Sequence, residues 1–202
     1  MRRLPLLLAL TAVLVAATAG IALAGGYAPV PGNPADKLVN VPIDAEQYDS
    51  AKDCRKRPTP GAEALVAWLQ QNAGGSFWGI MRCERWGKGR ASLHAEGRAI
   101  DWHLNVHNAA DKREAQRLIN LLLAPDRAGN VRALARRMGV EEIIWNCRYW
   151  GAGSDSFRPY SVCFDKDGRP KKIDDTTAHR DHIHFGLNWA GAKKRTTFWA
   201  HR

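Results

Sequence analysis

From Leu4 to Ala24 the chain carries no charge, and beyond that run its apolar residues fall into short periodic segments separated by glycine, proline and charged residues. Ala62-Glu-Ala-Leu65-Val66-Ala-Trp68-Leu69 has helical spacing, and Gly74-Gly75 stops it, as glycine commonly does beyond a helix. Phe77 to Cys83 reads as a strand and the glycine- and charge-rich Glu84–Arg90 as a loop. In the next strand, Ala99-Ile-Asp101-Trp-His103-Leu, period-two alternation puts Asp101 on one face with Ala99 and His103. Asp111 to about Leu123 and Val131 to about Met138 read as amphipathic helices, the second closed by Gly139. Glu142-Ile-Ile-Trp-Asn-Cys147 predicts a buried strand, and Arg158 to Lys172 a long hairpin turning at Asp165–Gly168. His182-Ile-His-Phe-Gly-Leu187 is the last strand, followed by a basic tail, Lys193–Arg202.

Helices and strands mixed without regular alternation predict an α+β fold. The length of 202 residues suits one domain with short extras. Met-Arg-Arg, the apolar run and Ala22-Leu23-Ala24 are the parts of a secretory signal peptide, residues 1–24; the run is also long enough for an uncleaved anchor. Residues 25–50, with Pro29, Pro31, Pro34 and Pro42 and few large apolar groups, read as a flexible linker or wall-spanning arm. Residues 51–202 are left as the domain.

Export explains the cysteines. Cys54, Cys83, Cys147 and Cys163 are even in number and form no Cys-x-x-Cys pair, which argues for disulfides and against a thiolate metal site. Three pairings are possible. Cys54–Cys83 with Cys147–Cys163 is favoured, because each closes a local loop. The formal charge of +10 falls to +8 when Arg2 and Arg3 leave with a signal peptide. A basic exported protein is attracted to polyanions such as anionic cell-wall polymers. The charges are scattered and no nucleic-acid-binding signature is present, so nucleic acid is not an expected partner.

Two stretches carry the chemistry. Ser92-Leu-His94-Ala-Glu-Gly97-Arg-Ala-Ile-Asp101 supplies an imidazole and, seven residues on, a carboxylate; His179-Arg-Asp-His182-Ile-His184 supplies three imidazoles. His182 and His184, two apart on a strand, share a face. Two histidines and an aspartate with a fourth position open to water make up a catalytic rather than a structural zinc site.

Ser-x-His-x-x-Gly-x-Ala-x-Asp followed by His-x-x-His-x-His resembles the zinc DD-peptidase superfamily, which includes D-alanyl-D-alanine carboxypeptidases, D,D-dipeptidases, murein endopeptidases and the hedgehog-type domain. The first motif fits at Ser92, His94, Gly97, Ala99 and Asp101. Many members place a glutamate two or three residues before the last ligand as general base. Here histidines stand in that segment, so the chain is similar to the branch in which a histidine takes that role, and to uncharacterised secreted proteins of actinobacteria and fungi. The resemblance implies a small antiparallel sheet with helices on one side. It implies His94, Asp101 and His184 as zinc ligands, His182 as base, and His179 as the group that orients the base or holds an oxyanion. Arg82, upstream of the motif, stands where the family often carries an arginine. A guanidinium there can bind a peptide carboxylate or an oxyanion, and a plain salt-bridged arginine is the alternative.

The remaining polar candidates read differently. Ser92 fixes the loop that presents His94 or merely begins a turn. Glu96 reads as a surface charge. His103 is a second contact on the Asp101 face or an edge histidine, and His107 and His201 read as incidental. Trp86, Trp145 and Trp150 wall a cleft or pack in the core. The expected function is a secreted, monomeric zinc peptidase acting on peptidoglycan stem peptides or cross-links. A catalytically silent wall-binding module on the same fold, or a peptidase with a non-wall substrate, are the alternatives.

Overall fold

The computed structural model describes residues 26–202. The expected signal peptide lies outside the described residues. Among the described residues no helix is long and apolar enough to cross a membrane.

Helix α1 (Pro60–Asn72) begins where Thr59 Oγ1 accepts from the Ala62 N–H and Pro60 takes the first helical position, whose N–H would be unpaired anyway. Strand β1 (Ser76–Gly79) follows, shorter than the Phe77–Cys83 expected. The stretch read as a loop forms a small hairpin, β2 (Arg85–Gly87) and β3 (Arg90–Ala91). After β4 (Ala99–His103) comes α2 (Ala109–Leu123), which starts two residues before Asp111 because the Asn108 side chain accepts from the Ala110 and Asp111 amides. Helix α3 (Ala133–Met138) ends at Gly139 in the left-handed conformation, φ 77°. The remaining elements are β5 (Val140–Trp145), β6 (Arg148–Gly151), β7 (Arg158–Pro159), β8 (His182–Leu187), α4 (Trp189–Ala192) and α5 (Thr197–Ala200).

Six strands form one antiparallel sheet in the order β1-β4-β8-β5-β6-β7. The fold is α+β. The last strand, β8, is inserted at the centre between β4 and β5, which brings segments some forty and eighty residues apart side by side.

Alternation divides the sheet into two faces. Ile100, Trp102, Ile143, Trp145, Ile183, Phe185 and Leu187 point to the helices and join Leu65, Trp68, Leu69, Leu118, Leu122, Leu134 and Met138 in one core. Truncating a wholly buried aromatic such as Trp102 to alanine would remove about 3–5 kcal/mol of stability. The opposite face carries Asp101, Glu142, His182 and His184, all buried, with a small apolar cluster of Leu93, Ala95 and Ala99 beside them.

Four further expectations are corrected by the structure. The stretch expected to be a flexible linker packs on the domain: Tyr27, Val30, Leu38 and Ile43 lie against the core and Ala35 is buried in it. Asn33 Nδ2 donates to the Leu121 carbonyl, and Asp44 accepts from the Thr197 N–H. Pro34 opens a short 3-10 helix, Pro34–Leu38, whose Ala35 is the buried residue. The expected long hairpin from Arg158 to Lys172 is reduced to β7, a short helical turn at Ser161–Cys163 and one bridge between Phe164 and Pro170. Proline at 159 and 170 removes ladder donors, though the turn at Asp165 forms, with Gly168 N–H donating to the Asp165 carbonyl. The basic tail folds back through α5, burying Phe198 and Trp199. Glu96 is buried, with Arg98 Nε donating to its Oε2 and the Lys52 N–H to its Oε1.

The cysteines pair Cys54–Cys83 and Cys147–Cys163. Bridges closing loops of 29 and 16 residues each stabilise by about 3 kcal/mol in the chain-entropy view. They point to an oxidising, extracellular-type environment.

Candidate metal centre

Antiparallel pairing of β4 with β8 sets Asp101 opposite His184 and His103 opposite His182. His94 comes from the preceding loop. Ser92 Oγ accepts from the His94 N–H at 3.2 Å, and Gly97 N–H donates back to the His94 carbonyl at 3.0 Å. Gly97 has φ 66°, and a Cβ there would stand 2.7 Å from the Arg57 carbonyl oxygen and 2.8 Å from Pro58 Cα. Only glycine allows both that turn and that approach.

The ring protons can be placed from their partners. His94 Nδ1 is 2.7 Å from the Ile80 carbonyl, an acceptor only, so Nδ1 carries the hydrogen. His184 Nε2 donates to Glu142 Oε1 at 3.0 Å. His94 Nε2 and His184 Nδ1 are therefore bare in the neutral rings, and they face each other at 3.1 Å. Asp101 Oδ1 lies 3.0 Å from the first and 3.2 Å from the second. Three buried lone pairs converge on one point, an arrangement that demands a positive charge. These three residues form a group that could hold a metal ion, their donor atoms all within 4.8 Å of one another.

The electrostatics state the same demand. Burial disfavours charge on Asp101, yet its bonds to the His184 and His94 rings hold the carboxyl far below the usual range. Burial also opposes charge on His184, but Asp101 and Glu142 outweigh it and push the ring up to about 9.

His182 stands beside this group and outside it. Its Nδ1 is 2.8 Å from Asp181 Oδ1, which leaves Nε2 bare and turned inward, 3.5 Å from Asp101 Oδ1. Burial lowers its pKa. His179 lies tilted against His182, with ring centroids 4.6 Å apart, and meets Tyr160 edge-on at 5.3 Å. Its backbone is left-handed at φ 52°, held by Asn146 N–H donating to its carbonyl at 2.7 Å. Burial and the neighbouring rings push its pKa down to about 3. Arg82 reaches the same point from the other side, with Nη1 3.2 Å from Asp101 Oδ2 and Nε on Glu84. The Cys54–Cys83 bridge holds the next residue.

Two small clefts open on the centre. One, about 200 Å³, includes Tyr48, Trp86, His94, Glu142, His179 and His184 in its wall; the other, about 170 Å³, includes Trp78, Arg82, Asp101, Thr176 and His182. The structure thus brings together all six of His94, Asp101, His184, His182, His179 and Arg82. Of the tryptophans, Trp86 lines a cleft, Trp150 is buried in the core, and Trp145 faces the helices. His103 lies under Trp78, centroids 4.9 Å apart, and His107 is exposed beside Asp175.

Sequence reading missed Glu142 and Asp181, which fix two of the rings, and Trp78, whose ring lies 5.5 Å from that of His182. The signal for Glu142 was present as a carboxylate inside an apolar strand, a position that is costly without a partner.

The profile of the family described as VldE, C-terminal domain, matches residues 54–173. The chain belongs to that family. The VldE C-terminal domain match takes in both disulfides, Arg82, His94, Asp101 and Glu142, and it ends before His179, His182 and His184. No curated protein and no solved structure matches the chain.

Proposed function

We propose that the protein is a secreted zinc-dependent peptidase that hydrolyses amide bonds in peptidoglycan stem peptides or their cross-links. The observation that carries this reading is the convergence of His94, Asp101 and His184 with the bare Nε2 of His182 on the same point. Two imidazoles and one carboxylate suit zinc better than the all-oxygen shells of magnesium or calcium. Tetrahedral ligands at about 2.0–2.1 Å stand about 3.3 Å apart, close to the 3.0–3.2 Å separations here.

Zinc supplies a Lewis acid and lowers the pKa of a water to about 7. The remaining work falls to the chain. His182 Nε2, with its ring held by Asp181, takes the proton of the attacking water and returns it to the leaving amine. His179 packs against that ring and limits its rotation. Arg82, half exposed at the mouth of the site, holds a substrate carboxylate or the developing oxyanion. The peptidoglycan assignment rests on the resemblance of the two motifs to the zinc DD-peptidase superfamily and on the basic charge of an exported chain.

Incubation of zinc-loaded protein with stem peptides and cross-linked muropeptides, followed by mass spectrometry, tests the proposal. Loss of a terminal residue or opening of a cross-link is expected. A fully zinc-loaded protein that leaves the whole panel uncut removes the peptidase reading, and a wall-binding module on the same fold takes its place.

A further inference from the structure

A cavity larger than either cleft lies away from the metal centre. It holds about 590 Å³ and shares no lining residue with either cleft at the centre. Trp145, on the helix-facing side of β5, forms part of its wall with Tyr27 and Phe157. Lys112 and Arg113 reach it from α2, one turn on from Ala109, on the same helix face. Arg148 closes the other side, its Nη2 donating to the Phe157 carbonyl at 2.7 Å.

The composition of this wall selects a ligand. Three cations and three aromatic rings line it, and no carboxylate does. Among the described residues neither Lys112, Arg113 nor Arg148 forms a salt bridge, whereas eight of the sixteen other arginines do. The first turn of α2 adds the positive end of its dipole at the same edge. An apolar floor with an unneutralised cationic rim favours a molecule with an apolar body and one anionic group.

We infer that this cavity is a second binding site, independent of the metal, for a small amphipathic anion: an aromatic or short aliphatic body bearing one carboxylate, sulfonate or phosphate. The site shares structure with the catalytic face. Asn146, in the cavity wall, donates its N–H to the His179 carbonyl, and the next amide, Cys147 N–H, donates to Ala178. An occupant therefore rests against the turn that holds His179 in place.

Fluorescence titration of the full chain with 8-anilinonaphthalene-1-sulfonate, beside its neutral analogue N-phenyl-1-naphthylamine, tests the assignment. The sulfonate is expected to bind at one saturable site, more weakly as salt rises. Lys112→Glu with Arg113→Glu, both on an exposed helix face, should weaken it about tenfold or more and leave the neutral dye unchanged. The milder pair Lys112→Gln and Arg113→Gln should give a smaller loss in the same direction, should the reversal disturb folding. His94→Ala should leave dye binding intact. Sulfonate binding that ignores both pairs of variants places the dye elsewhere, such as on the apolar run before Tyr27, and overturns the site. Equal affinity for the two dyes, or loss of binding in His94→Ala, overturns it as well.

Discussion

Glu142 Oε1 accepts the Nε2 hydrogen of His184 at 3.0 Å, and this bond decides which nitrogen of His184 faces Asp101. Glu142 reaches that far because the residue opposite it on β8 is Gly186. A Cβ at 186 would stand 2.6 Å from Glu142 Cγ and 2.3 Å from Leu93 Cδ1. A carboxylate behind a histidine ligand fixes the ring and raises its basicity. Glu142→Ala is expected to weaken metal binding about 10–100-fold, measured by competition with a chelator. Glu142→Gln, which keeps an acceptor and loses the charge, should fall between. Unchanged affinity in both would show that the ring is held by its strand alone.

The three converging residues should act as a unit toward the metal. His94→Ala, Asp101→Ala and His184→Ala are each expected to lower zinc occupancy strongly, as read by metal analysis of protein never exposed to chelator. Normal zinc content in all three variants would place the ion elsewhere.

His182 should separate binding from turnover. His182→Ala is expected to keep zinc and lower hydrolysis of a cleaved muropeptide by about 100-fold or more, the usual scale for a lost general base. Asp181→Asn, which leaves the ring in place with a weaker partner, should lower turnover less, also with zinc retained. Loss of zinc in His182→Ala would make His182 a ligand.

Gly97 turns the loop that presents His94. Gly97→Ala forces a left-handed φ on a residue with a Cβ and drives that carbon against Arg57 and Pro58. A loss of about 1–3 kcal/mol is expected, read by denaturant unfolding, together with weaker metal binding because His94 shifts.

Arg98 is wholly buried and donates to Glu96, Glu141 and the carbonyls of Leu187 and Asp49. Glu141 in turn accepts the Asp49 N–H, so the cluster ties the N-terminal arm to one end of the central strands. Arg98→Ala strands two buried carboxylates and is expected to destabilise by about 3–5 kcal/mol. Proteolysis should then cut near Asp49 first, because the arm loses its anchor; cleavage no faster than in the parent chain would contradict that role.

Residue order alone determined the elements whose signals are local. Apolar spacing marked α1, α2 and the central strands, and the i, i+2 relation of His182 and His184 put both on one strand face, because side-chain direction follows from backbone period. The ten-residue motif marked His94 and Asp101, and the local loops marked the disulfide partners. What the tertiary structure alone decided is everything that depends on strand order. Placing β8 between β4 and β5 set Asp101 against His184 and brought Glu142 behind it, a pairing across 42 residues that no local period encodes. The same holds for the proline-rich arm and the basic C-terminal segment. Both look solvated by composition, yet they bury Ala35, Phe198 and Trp199, since their partners lie on helices far away in the chain. Periodicity reports which way a side chain points; only the assembled sheet fixes what it meets.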